Sequence, residues 1–158
     1  LVGSEMCIRD RYDIGIITES SGKKSIPKVN IKLIYPENIS DSVIPLLSID
    51  QKIKGLGLEP ISAPKGRYHV KNKSLFPLMK ERRAVFFTLL EGEVIRGIIA
   101  GFSRYEITFH MKGGVPVTIL RHSIYDLRDK KGRSYLKSFQ ESRRDWEKSP
   151  LYCNQEDK

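Results

Sequence analysis

Five short runs of β-branched and aromatic residues follow one another between Val85 and Leu127, with only two or three residues between each and the next. Crossover connections need a dozen residues or more, so neighbouring runs have to pair antiparallel. Val85–Leu90 is continuous and reads as buried. Glu91-Gly92 turns the chain into Glu93–Phe102, a long run with Gly97 and Gly101 inside it. Glycine within a strand marks a bend or a close backbone approach, as strong curvature demands. Ser103-Arg104 turns again, and Tyr105–Met111 alternates Tyr105, Ile107 and Phe109 on one face. Val115–Leu120 follows the Gly113-Gly114 turn, and Ile124–Leu127 closes the set after Arg121-His122-Ser123.

A single helix precedes these runs. Ser74 can cap it, Leu75, Leu78, Met79 and Arg82 fall at helical spacing, and Pro77 sits at the third helical position, where proline is tolerated. One helix and then five short antiparallel strands predict a mainly β domain, a small and highly bent barrel over about residues 73–128. No internal repeat is visible.

Charge points to a partner. Of 158 residues, 28 are Lys or Arg and 19 are Asp or Glu, a net charge of +9. Lys71–Lys148 holds 17 of the basic and 9 of the acidic residues, so +8 of that charge belongs to one segment. Such a stripe is either an ordinary solvated surface or the electrostatic footprint that a phosphate backbone selects. No apolar run approaches the roughly 18–20 residues that a membrane span needs. Cys7 and Cys153, near opposite ends, form no disulfide framework, and His69, His110 and His122 are too scattered to gather a metal. No cofactor motif is present, and a cytoplasmic protein is expected.

The flanking segments carry weaker signals. Leu1–Arg11 has no strand or helix period, and its SEMCIRDR stretch is similar to translated sequencing-adapter read-through. Residues 1–11 are therefore expected to be an artefact standing in place of the natural N-terminus. Tyr12–Thr18 and Lys28–Ile34 read as two strands joined through Ser20–Lys24, a β-hairpin remnant over residues 12–35. The run YDIGIITESSGKKSIPKVNIKLI resembles the closing strands of a cold-shock domain, which would make it part of a truncated OB fold; an unassigned hairpin is the alternative. Residues 36–72, with four prolines and three glycines, read as a linker holding one short helix at Ile49–Lys54 under a Ser48 cap. After Leu127, Asp129-Lys130-Lys131-Gly132 is a hairpin turn. It could return Arg133–Lys137 as a strand, ahead of a helix over about 138–148 in which Phe139 and Trp146 read as packing residues. Residues 129–158 thus form a C-terminal hairpin and helix extension with a polar tail.

Three ordered motifs in the central segment name a family. Leu89-Leu90-Glu91-Gly92-Glu93-Val94-Ile95-Arg96-Gly97, Phe102-Ser103-Arg104-Tyr105 and Arg121-His122-Ser123-Ile124 together resemble the Sm-like RNA-binding proteins of the bacterial Hfq branch. The resemblance implies a single-stranded RNA-binding protein, a post-transcriptional regulator or RNA chaperone, assembled edge to edge into a homo-oligomeric ring, commonly a hexamer. It implies that a base stacks on Tyr105 beside Arg104, and that Arg121 and His122 hold phosphate and base edges at a central pore. Lys80, Arg82 and Arg83 would form a basic lateral rim. Leu120, Arg104 and a longer third turn depart from the family pattern.

Each of these residues has a plainer reading. Tyr105 could cover the core edge, His122 could be a turn histidine, and the Lys80–Arg83 cluster could be a solvated helix end favoured by the helix dipole. An enzyme is not expected, because Glu91, Glu93 and Glu106 show no paired-carboxylate logic and no nucleophile or phosphate-loop motif is present. The other reading is an oligomerising protein-interaction barrel that has lost RNA binding.

Overall fold

A computed structural model describes residues 22–136, together with the backbone of residues 5–9 and 13–18. The expected helix over 138–148, Phe139, Trp146 and Cys153 lie outside the described residues.

Upstream, β1 (Glu5–Arg9), β2 (Asp13–Thr18) and β3 (Gly22–Pro27) form a three-stranded antiparallel sheet in that order. The partner of β2 is therefore Gly22–Pro27, with Thr18 opposite Gly22 and Asp13 opposite Pro27, and not the expected Lys28–Ile34. Lys28–Asn30 is a 3-10 turn instead, and Leu33–Ile34, β4, joins the main sheet. The switch has a physical cause. Ile31 and Leu33 are buried, Ile31 against Leu120 and Leu33 in the main core, whereas β3 is largely exposed.

The main sheet has seven strands. Its helix is α3 (Asn72–Lys80), preceded in the chain by α1 (Ser40–Val43), β5 (Ser48–Ile49) and α2 (Gln51–Gly55). Then come β6 (Ala84–Leu89), β7 (Glu93–Phe102), β8 (Glu106–Met111), β9 (Pro116–Leu120) and β10 (Ile124–Arg128). The spatial order is β10-β6-β7-β8-β9-β4, all antiparallel, and β5 pairs with the first two residues of β7. The strands expected between Val85 and Leu127 are all found, within a residue at each end.

Of the two glycines inside β7, only Gly97 is required by a close approach; a Cβ on Gly101 would meet nothing within 4 Å. A Cβ on Gly97 would collide with the His110 carbonyl oxygen, so β7 and β8 approach there as only glycine permits. Gly101 follows a register shift in which Ile99 faces Phe109 and Gly101 faces Thr108, leaving Ala100 as the extra residue of a bulge. Below this bend sits the core. Phe87 and Phe109 meet edge to face at 5.2 Å, and α3 buries Leu75 and Leu78 in the same cluster.

α3 differs from expectation in its start. It begins at Asn72 with no side-chain cap, so Pro77 is its sixth residue and deletes one helical hydrogen bond on an exposed side. It ends in a Schellman motif: the Arg83 amide donates to Leu78 O and the Arg82 amide to Met79 O. Arg82 takes the left-handed position, φ 51°, that glycine usually fills.

Residues 36–72 are mostly exposed, but a few apolar side chains anchor them. Val43 and Val70 enter the main core, and Ile53 packs with Leu90 and Tyr125. The short helix is capped by Asp50, whose carboxylate accepts from the Lys52 and Ile53 amides, because Ser48 and Ile49 are taken up in β5. Gly92 lets this segment lie over the β6–β7 turn: its φ is +98°, and a Cβ would stand 2.8 Å from Asp50 O.

The Asp129–Gly132 turn forms as expected, with Asp129 Oδ1 accepting from the Lys131 and Arg133 amides. The returning strand shrinks to one bridge, Arg128 to Ser134, while the Tyr135 amide donates to Leu127 O. Among the described residues no helix is long and apolar enough to cross a membrane.

Candidate nucleic-acid interface

Two turns at one end of the sheet bring four of the seven expected site residues together. The β7–β8 turn is a hydroxyl-anchored one: Ser103 Oγ accepts from the Tyr105 amide at 3.2 Å and the Glu106 amide at 3.3 Å, while the Ser103 amide donates to Glu106 O. This holds Tyr105 at the rim with 44% of its surface exposed, too open for a core-covering residue. The Arg104 guanidinium lies 5.6 Å from its ring centroid, within cation–π range.

The β9–β10 connection, Arg121–Ser123, is a 3-10 turn that runs directly alongside. Its Arg121 amide donates to Tyr105 O at 2.9 Å, coupling the two turns through backbone. The Arg121 guanidinium is spread over three acceptors: Ser103 O at 2.7 Å, Asn72 Oδ1 at 2.8 Å, and Val70 O. Arg121 thus ties the turn to the start of α3, its planar fork donating to all three acceptors.

His122 is half-buried, and its Nε2 lies 2.8 Å from Ile31 O. A carbonyl can only accept, so Nε2 carries the proton and Nδ1 is the acceptor of a neutral ring. Burial is the main influence on its pKa and lowers it; the charges of Arg67 and Lys28 act in the same direction, against bonds to the Ile31 and Lys28 backbone. A neutral histidine at pH 7 can both donate and accept, which suits it to a base edge.

Lys80, Arg82 and Arg83 are exposed at the far end of α3, with Arg83 paired to Glu81 at 2.8 Å. Arg121 reaches Asn72 at the other end, so the two basic groups stand about 12 Å apart along the helix, at 1.5 Å per residue.

Lys28 was missing from the sequence-derived set. Its ammonium stands 4.7 Å above the Tyr105 ring, and the residue is buried. Its neighbour Lys32 binds Glu91 and Glu93; burial lowers the Lys32 pKa, but the bonds and charges of the two carboxylates outweigh that and raise it. No periodic or motif signal marks either lysine, since their partners lie far along the chain.

No protein-family profile matches the chain, and no curated protein does. Among solved structures, a 1.55 Å crystal structure of "the pleiotropic translational regulator, Hfq" is similar to it at 20% identity, over 38% of this chain and 98% of that one, with a TM-score of 0.36. A likeness of that size carries no functional weight, so function rests on the chain's own residues.

Proposed function

We propose that this chain is a single-stranded RNA-binding protein of the Sm-like type, acting in the cytoplasm as a post-transcriptional regulator or RNA chaperone and having no catalytic role. The observation that carries this reading is the convergence of Tyr105, Arg104, Arg121 and His122 on two hydrogen-bonded turns. An exposed ring set among cations is the combination that binds unpaired nucleotides, since stacking tolerates any base and cations neutralise phosphate. Support also comes from the strand order. A helix followed by five consecutive antiparallel strands, ordered fifth, first, second, third, fourth across the sheet, is compatible with the small SH3-like barrel that the Sm-like resemblance implies. The rim at Lys80, Arg82 and Arg83 would follow the RNA body beyond the stacked base.

A ring belongs to this proposal only if the outer edges of β9 and β10 become available, because β4 pairs with the first and the Arg128–Ser134 bridge lies on the second. Those same partnered edges tell against a purely oligomerising interaction barrel. Fluorescence anisotropy with adenine-rich and uridine-rich single strands at two salt concentrations tests the reading. Binding at low salt with a steep loss at higher salt is expected, in proportion to the phosphates neutralised. No binding at low salt would sink it.

A further inference from the structure

We propose that residues 28–34 are an autoinhibitory strap that closes the Tyr105–His122 face and the outer edge of β9, so that single-stranded RNA binds only when the strap is displaced. This inference rests on the RNA-binding reading above. Three fastenings of the strap use groups that a bound strand or a neighbouring protomer would use, beside the Lys32 ion pairs and the burial of Ile31 and Leu33. The Lys28 ammonium stands 4.7 Å above the Tyr105 ring, where a base would stack. Ile31 O takes the His122 Nε2 proton, the donor suited to a base edge. Lys32 O takes the Leu120 amide, and Leu33 and Ile34 pair with Ile119 and Thr118, filling the edge that another strand would need.

The attachment is built to be exchangeable. β4 is two residues long against five in β9, and Pro27 and Pro36 flank the segment, neither of which can donate to a ladder. The Lys32–Glu91 pair is open to solvent, with 35% and 58% of the two side chains exposed, so salt screens it, whereas Glu93 is only 16% exposed. What keeps the strap down is the burial of Ile31 and Leu33. Apparent RNA affinity is then the intrinsic affinity multiplied by the fraction of molecules with the strap released.

A reversible lock tests this in the full chain. Ile34→Cys with Thr118→Cys joins two residues directly opposite each other, in a background carrying Cys7→Ser and Cys153→Ser. The oxidised protein is expected to bind labelled uridine-rich and adenine-rich single strands at least about tenfold more weakly than the same protein after reduction. Lys32→Ala, which releases Glu91 and Glu93, is expected to bind more tightly than the parent although it removes a positive charge. Equal affinity of the oxidised and reduced forms overturns the strap while leaving RNA binding intact, and so does weaker binding by Lys32→Ala, which marks Lys32 as a phosphate contact. Failure of the parent, oxidised and reduced proteins alike to bind at low salt overturns the RNA reading itself, and the strap with it.

Discussion

Arg82 holds a left-handed backbone conformation at the end of α3 with its side chain in solvent. Glycine fits that position without the penalty that a Cβ brings. Arg82→Gly is therefore expected to raise stability by about 0.5–1 kcal/mol in chemical denaturation, and to weaken RNA binding if the rim follows the strand. A destabilised variant with unchanged affinity would make Arg82 a structural residue. At His122 the prediction concerns pH. Its folded pKa lies below the ordinary 6.5, so the unfolded chain takes up the proton first as pH falls. The stability that this residue contributes is complete above about pH 6.5 and is lost as pH drops through the lowered folded value. Between pH 7.5 and 5 the parent should lose more thermal stability than His122→Gln, which keeps a donor near Ile31 O and does not titrate; equal losses would contradict the assignment. Tyr105, Arg121 and His122 were singled out through the Sm-like resemblance of the motifs that hold them; strand period only placed those motifs on short turns. Lys28 and Lys32 were not singled out, because their contacts join segments far apart in sequence and follow no period.

At the scale of elements, β10 is buried along its whole length although it carries a carboxylate and a guanidinium. Asp126 accepts from Arg128, from the Ser134 hydroxyl and from the Leu127 amide, and Arg128 Nη1 donates to Gly132 O. Burial is the main influence on Asp126 and raises its pKa, against the pull of Arg128, Ser134 and the Leu127 amide. The network ties β10 to the Asp129–Gly132 turn. Asp126→Ala removes the carboxylate that faces the buried Arg128 guanidinium, and a loss of about 3–5 kcal/mol in denaturant melts is expected. Replacing both residues, Asp126→Leu with Arg128→Met, should cost much less, and a double variant as unstable as the single one would show that the pair stabilises rather than specifies. Alternation and glycine placement made the five strands and their turns readable. The connector hid its packing, since Val43, Ile53 and Val70 are isolated among prolines, glycines and polar residues and form no apolar stripe. The displaced second hairpin strand has the same origin. Val29, Ile31 and Leu33 alternate as a strand should, but alternation does not say which sheet receives them.

For the whole molecule, one segment supplies five of the seven strands of the main sheet and nearly all the excess charge: Lys71–Lys148 carries +8 of the +9. Two turns give that charge a focus, and a short upstream segment lies across it. Whether unpaired RNA is held at the Tyr105–His122 face is tested by ultraviolet cross-linking of the full chain to a uridine-rich strand, with the modified peptides located by mass spectrometry. Cross-links are expected in the peptides that contain Tyr105 and His122, lost on competition with unlabelled strand and reduced in Tyr105→Ala. Cross-links confined to other segments, with those two peptides unmodified, would contradict binding at that face.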